Sequence, residues 1–329
     1  MERYAEEEAI GGYLELELPE AHAWLPPGAI SYQAARKAFQ ALLRWGRPRR
    51  VWLPRYACVS LSEVLHEERI EHACYRIDEQ LRLAQAVPLE PGEWLLYINY
   101  FGVRDGYARQ LLERYDPGSV VMDCSQSLFS APFNCLATLY SPRKFVGVPD
   151  GGLLVTEAAV PPPKEVDTRS FERLSPLIKR IAFSPESGYQ EHHQTDRALG
   201  EGEPMRMSAL TSHLLRRIDA GRVGARRIAN FGLLHQLLGR HNQLELEPPA
   251  VPPMCYPLLT GHAGLREFLI DRRIFVPRYW SDLDRAHPCF YVERSLSTRL
   301  VALPCDQRYG EDHVHRIAQA CIDYLEAAC

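Results

Sequence analysis

The feature that most constrains this chain is a succession of short, mostly apolar runs, each separated from the next by a helical pattern or a turn. RRVWLP (49–54), HACYRI (72–77), WLLYI (94–98), SVVMDC (119–124), LATLYS (136–141) and GGLLVT (151–156) read as strands. Strands that are apolar on both faces are covered on both faces. That is the pattern of a mostly parallel sheet in an α/β domain rather than of a half-exposed antiparallel one. SYQAARKAFQALLRWG (31–46) has its apolar residues at helical spacing, with Ser31 as a candidate N-cap and Gly46 closing the helix. CVSLSEVLHEE and DGYARQLLERY follow as two further helices.

The pattern changes after the turn-rich VPPPKEV (160–166). A helical stretch (169–182) precedes a polar loop rich in His and Glu (184–203), and a long helical pattern runs from about Met207 to Leu238. PPAVPPM (248–254) carries four prolines in seven residues and reads as a linker. Beyond it come a strand (CYPLLT), a helix (LREFLIDRR), two strands (CFYVE and RLVALP) and a final helix, EDHVHRIAQACIDYLEAA. The expected architecture is a large α/β domain over 1–247, a mostly parallel sheet flanked by helices, followed by a small C-terminal α+β domain over 248–329.

Charge and composition narrow the function. With 38 Lys+Arg against 42 Asp+Glu the formal net charge is −4, without the basic excess of a nucleic-acid binder. No apolar run approaches the roughly 20 residues that span a bilayer, and the acidic start MERYAEEEAIGG lacks the pattern of a signal peptide. A soluble, cytoplasmic protein with neither a nucleic-acid nor a membrane partner is expected. The nine cysteines form no CxxC or other metal-ligand spacing, so neither a disulfide framework nor a metal site is expected.

The most informative stretch is 119–152, SVVMDCSQSLFSAPFNCLATLYSPRKFVGVPDGG. An open α/β sheet binds its ligands beyond the C-terminal ends of its strands. Asp123 closes one apolar run. Lys144 lies just after the next, in a loop with Ser141, Pro142 and Arg143 that ends in Asp150-Gly151-Gly152. Each residue alone has an ordinary reading: Asp123 as an Asx-turn or helix cap, Lys144 as a surface lysine, Gly151-Gly152 as a turn. Together, a lysine amine that forms a Schiff base and an aspartate that pairs with a pyridinium nitrogen fit pyridoxal-phosphate chemistry.

With these blocks the sequence resembles the fold-type-I pyridoxal-phosphate enzymes, specifically the DegT/DnrJ-type sugar aminotransferase family. The resemblance is carried in order by the helix 31–46, LPRYACVSL (53–61), INYFG (98–102), VVMDCSQ (120–126), SPRKFVGVPDGG (141–152) and RLVALPCDQRY (299–309). It implies pyridoxal 5′-phosphate as cofactor, Lys144 as Schiff-base lysine and proton shuttle, and Asp123 on the pyridine nitrogen. It further implies Gln126 at the phenolic-oxygen side, Ser141 on the phosphate, and Asn99 in place of a histidine near the substrate. A homodimer with sites near its interface, an amino donor and a carbonyl acceptor such as a keto-sugar are also implied.

The chain departs from the family at several points. Where the family has Ser-Gly-Thr at the phosphate turn, the ungapped alignment gives Ser31-Tyr32-Gln33, placing Tyr32 and Gln33 at the cofactor. A gapped one gives Ala34-Ala35-Arg36, with Arg36 a candidate phosphate or carboxylate partner. Cys58 aligns with an aromatic residue that stacks on the cofactor ring, and Tyr56 lies two residues before it. The Ser-x-x-Lys loop is two residues shorter than the family's and resembles the cysteine desulfurase branch as much. Lyase or desulfurase-type chemistry, and a non-catalytic binding or regulatory protein on the same fold, are therefore carried beside the aminotransferase. Elsewhere, His192-His193 reads as part of a solvated loop, and Ser208 as a helix cap. Arg216, Arg217, Arg222, Arg226 and Arg227 read as a solvated or partner-facing helix face. Trp280, in YWSDLD (279–284), reads as a lid or packing residue.

Overall fold

A computed structural model of the chain describes residues 12–14, 16–20, 22, 24–281, 283 and 288–327. The first half runs β1 (Ile30–Tyr32), α1 (Ala35–Gly46), β2 (Arg50–Pro54), α2 (Val59–Glu67), β3 (Glu71–Tyr75) and β4 (Glu93–Ile98). It continues through α3 (Asp105–Leu112), β5 (Val120–Cys124), β6 (Ala137–Tyr140) and β7 (Gly152–Val155). These strands form one seven-stranded sheet in the order β1-β7-β6-β5-β4-β2-β3. From β3 to β6 every pairing is parallel, while β7 runs antiparallel to both β6 and β1. β4 and β5 are buried at every residue, as their unbroken apolar runs require.

α1 lays Ala38, Phe39, Leu42 and Leu43 against the sheet. A Cβ on Gly46 would stand 2.3 Å from the Trp94 ring, so only glycine lets the end of this helix close on β4. Arg47, in the left-handed region at φ 43°, then ends the helix by donating its N–H to Leu43 O. The helix expected from Ser31 therefore starts later. Residues 30–32 pair with β7, and the N-cap is Ala34, which has no side-chain cap of its own.

The second half comprises α4 (Ser175–Ala182), α5 (Tyr189–Ala198), α6 (Ala209–Arg216), α7 (Ala220–Leu238), β8 (Tyr256–Leu259), α8 (Leu265–Asp271), α9 (Tyr291–Arg299), β9 (Leu300–Leu303) and α10 (Glu311–Ala327). β8 and β9 form a separate antiparallel pair. Phe231, Leu234 and Leu238 of α7 join Leu258, Leu269, Leu303 and Ile317 in a second core distinct from that of the large sheet. α7 thus belongs by its C-terminal half to the smaller unit.

Three expectations are corrected here. The polar loop at 184–203 contains the helix α5, and the strand expected at CFYVE (289–293) is a short 3-10 turn running into α9. Arg227 is not on a solvated face. It is 2% exposed and donates to Pro253 O, Met254 O and Phe145 O, at 3.0, 3.0 and 2.9 Å. One guanidinium thereby ties α7, the proline-rich linker and the residue after Lys144 together. Of YWSDLD, Asp282 and Asp284 lie outside the described residues, as does Cys329. Among the described residues no cluster of three or more His, Cys, Asp or Glu could hold a metal ion, and no helix is long and apolar enough to cross a membrane.

Candidate active site

β4, β5 and β6 run parallel and end at one edge of the sheet, and a cavity of about 310 Å³ opens there. Its floor holds Ile98, Asp123 and Leu139, from the ends of these three strands. Asp123 is fixed by an Asx-type turn, its Oδ1 accepting from Ser125 N at 2.8 Å. The ordinary reading of this aspartate as a turn former is therefore true, and the same carboxylate still faces the cavity.

Lys144 ends the short 3-10 turn Pro142–Lys144 that follows β6, and its Nζ donates to Ser125 Oγ at 3.1 Å. Ser125 is thus held between the aspartate and the lysine. Sequence reasoning missed it, although its position two residues beyond a strand-ending Asp is a usable signal. The carbonyl of Phe145 accepts from Arg227 and from Gln307 Nε2, the latter at 2.9 Å, so the backbone next to the lysine is anchored.

Gln126 is 1% exposed and lines the same cavity. Its Oε1 accepts from Phe101 N at 2.9 Å, which fixes the amide, and its Nε2 has no partner. A buried amide donor left unpaired costs about 1–3 kcal/mol, so this N–H is a natural contact for a ligand acceptor atom. Phe101 has φ 57°, an uncommon conformation for a non-glycine residue, and it is this residue's N–H that orients Gln126.

The opposite end of the cavity is positive. α1 presents Ala34, Ala35 and Arg36 there, and its first-turn N–H groups have no side-chain cap. Close approach of β7 sets this position: a Cβ on Gly152 would lie 2.2 Å from Ala34 C, and Gly151, at φ 128°, donates to Gln33 O at 2.7 Å. Arg143 Nη1 pairs with Asp196 Oδ1 at 2.7 Å, and Arg36 Nη2 lies 3.5 Å from Asp196 Oδ2. Burial works to raise the Asp196 carboxyl, but the charge and hydrogen bond of Arg143 hold it below the usual range. His192 and His193, on the same helix, also line the cavity. Burial, and then the charge of Arg143, lowers His192 and favours its neutral form.

Ser141 and Cys58 complete the group that the structure brings together with Lys144, Asp123 and Gln126. Cys58 is the N-cap residue of α2, and its Sγ accepts from Ser60 Oγ at 3.1 Å. Trp280 enters from the C-terminal unit, its ring edge-on to Tyr56 at 4.5 Å. Tyr56 itself is a core residue with 0% exposure.

Three of the expected cofactor residues are elsewhere. Tyr32 points into the core from β1, where burial pushes its phenol up to about 12. Gln33 is occupied by backbone, donating to Glu203 O and accepting from Met205 N at 2.8 and 2.7 Å. Asn99 donates to Asp105 Oδ1 at 2.8 Å and accepts from Arg104 N at 3.3 Å, which makes it a loop-fixing residue. Since residues 30–32 are strand, the turn shifts onward and Ala34-Ala35-Arg36 opens α1, in the register of the gapped alignment. Ser208 caps α6, its Oγ accepting from Thr211 N at 3.1 Å.

No protein-family model matches the sequence, and no curated protein sequence does. Solved structures match over most of their length. DesV of S. venezuelae, determined in complex with a ketimine intermediate, has a TM-score of 0.64 at 16% identity, covering 91% of this chain and 85% of that one. The sugar aminotransferase CalS13 from Micromonospora echinospora gives 0.61 at 17%, covering 90% and 87%. NtdA from Bacillus subtilis, with bound cofactor PMP, gives 0.63 at 11%, covering 91% and 73%. The architecture built here, a mostly parallel sheet with its cavity at the strand edge and a small C-terminal unit, is the fold of the sugar aminotransferases.

Proposed function

We propose that the chain is a pyridoxal-phosphate-dependent aminotransferase acting on a keto-sugar or similar small carbonyl acceptor, with an amino acid as donor. The observation that carries this reading is the meeting of a lysine amine, a strand-end carboxylate, an unpaired amide donor and two arginines in one cavity. The donor set fits the cofactor. Gln126 Nε2 is a buried donor without a partner, as a phenolic oxygen requires, and the uncapped start of α1 with Arg36, Arg143 and Ser141 suits a phosphate. One fold neighbour, CalS13, is a sugar aminotransferase, and another, NtdA, holds the cofactor PMP.

When bound, pyridoxal phosphate supplies an aldehyde that condenses with amines and a ring that accepts electrons. Lys144 Nζ would be the amine that holds that aldehyde, and the same Nζ would take and return the substrate's α-proton. Asp123 would hold the ring nitrogen through its carboxylate and keep it protonated. Ser125 positions both, through its N–H to Asp123 and its Oγ to Lys144. Cys58 occupies the place of the stacking ring and supplies less π-contact, which gives Trp280 a share in closing that wall. The two arginines lining the cavity share Asp196, so no other arginine among the described lining residues is available to clamp an acceptor's carboxylate. A homodimer belongs to the same proposal.

The test is an absorbance spectrum of protein prepared with pyridoxal phosphate, before and after borohydride, followed by peptide mapping. A visible band that reduction converts to a pyridoxyl group on Lys144, absent in Lys144→Ala, is expected. No band, or a label on another lysine, overturns the assignment.

A further inference from the structure

The helix that covers the positive end of the cavity is held there in an unusual way. None of the residues of α5 is buried, so it has no apolar face on the core. At one point of its length Glu191 accepts from Ser175 Oγ at 2.8 Å and pairs with Lys179 of α4. At another, Asp196 spreads its two carboxylate oxygens over Arg143 and Arg36, and its backbone carbonyl accepts from Arg36 Nη2 at 3.3 Å. An element without buried apolar contacts opens at low cost, so what fixes α5 over the site is this polar attachment.

We propose that Asp196 is a displaceable counter-ion: it holds Arg36 and Arg143 until a phosphate monoester takes both guanidinium groups from it and releases α5. This rests on reading Arg36 and Arg143 as the phosphate-binding end, and it goes beyond that reading by assigning a role to a residue outside the expected cofactor contacts. The chemistry favours exchange. A carboxylate brings one negative charge and two acceptor oxygens, and it meets Arg36 only at 3.5 Å. A phosphate brings close to two charges and three oxygens to the same donors and to the uncapped start of α1. Asp196 left beside a bound phosphate would be a like-charge neighbour. Because His192 and His193 lie on α5 and line the cavity, its release also moves two imidazoles away from the entrance. Asp196 is in this sense a positioning residue that acts through the two arginines.

The experiment compares the full chain with Asp196→Asn, Asp196→Glu and Glu191→Gln. The probes are inorganic phosphate and pyridoxal phosphate in a buffer free of other phosphates. Binding is measured by titration, and opening of 189–198 by hydrogen exchange read by mass spectrometry. Phosphate is expected to speed exchange of 189–198 in the unaltered chain. Asp196→Asn, lacking the competitor, binds both probes about threefold to tenfold tighter, with exchange already fast and insensitive to phosphate. Asp196→Glu returns affinity toward the unaltered value. Glu191→Gln loosens the other attachment and, because binding releases α5, tightens binding only modestly, less than Asp196→Asn does, with exchange still responsive to phosphate because Asp196 remains; this separates charge competition from simple loosening of the helix.

Weaker phosphate binding by Asp196→Asn would mean that Asp196 orients the arginines for the ligand, and it overturns the proposal. Slowed or unchanged exchange of 189–198 with phosphate, or binding tightened by Glu191→Gln as much as by Asp196→Asn, overturns it equally. So does failure of both probes to bind. A missing borohydride label on Lys144, with phosphate still opening α5, sinks the cofactor assignment and leaves the counter-ion standing.

Discussion

Two carboxylates show how burial sets the behaviour of single residues. Asp123 and Glu293 are both buried, but Asp123 receives a backbone N–H and faces a cavity lined by Lys144. Asp123→Asn keeps the size of the side chain and removes its charge. Transamination is expected to fall by about a hundredfold or more, read in a coupled assay, while the borohydride label on Lys144 persists. Glu293 is 0% exposed; its Oε1 accepts from Ile77 N at 2.8 Å, and its Oε2 has no partner. Burial raises its carboxyl above the ordinary value. A raised folded-state value means that stability is fully present below the unfolded pKa, about 4.3, and is lost as pH rises through the folded one. Glu293→Gln does not titrate. Its melting temperature relative to the unaltered chain should therefore be more favourable at pH 8 than at pH 5, and a pH-independent difference would refute the assignment.

At the scale of elements, the glycine contacts and the buried arginine decide whether the cavity keeps its shape. Gly152→Ala would put a Cβ against backbone atoms of Ala34 and Ala35, which cannot rotate away as a side chain can. The variant must part β7 from the start of α1, at about 1–3 kcal/mol. It should also bind phosphate more weakly, a pairing of effects that urea denaturation and titration test together. Arg227→Met leaves the carbonyls of Pro253 and Met254 without their donor and that of Phe145 with Gln307 alone, and a loss of at least about 2 kcal/mol is expected in the same denaturation experiment. The large sheet was legible because β4 and β5, buried throughout, leave unbroken apolar runs in the sequence. α5 was read as a loop for the converse reason: a helix that buries nothing carries no hydrophobic period to detect. At CFYVE the apolar alternation suggested a strand, whereas α9 buries Glu293, Leu296 and Ser297, a face in which two of the three residues are polar. Among the arginines of 216–227 nothing in the pattern marked Arg227, since its partners are carbonyls of distant segments. The lysine, aspartate and glutamine of the cavity were legible because each lies at or just beyond the end of a strand. Tyr32 and Gln33 were misplaced because a three-residue strand there was hidden inside a helical pattern.

On the scale of the whole molecule, an apolar group around α4 stands uncovered among the described residues. Phe171, Ile178, Ile181 and Phe183 are between 53% and 87% exposed, and Tyr189, which begins α5, is 61% exposed. They cluster on and around α4, whose other contacts are chiefly with α5 and the short turn between them. Single exposed apolar residues are ordinary, but a contiguous group of this kind marks an interaction surface. Its place beside α5 connects it to the cavity, because a second copy resting on α4 would limit how far α5 moves when Asp196 lets go. The expected outcome is a dimer by light scattering coupled to size exclusion. Ile181→Glu, at the most exposed position of the group, should shift the protein to monomer without lowering its melting temperature by more than about 0.5 kcal/mol would. It should also speed hydrogen exchange of 189–198 even without phosphate, since the neighbour that braces α5 is gone. A monomeric wild type, or a variant that dimerises unchanged, would show that this face does not join two copies and that α5 is held by its ion pairs alone.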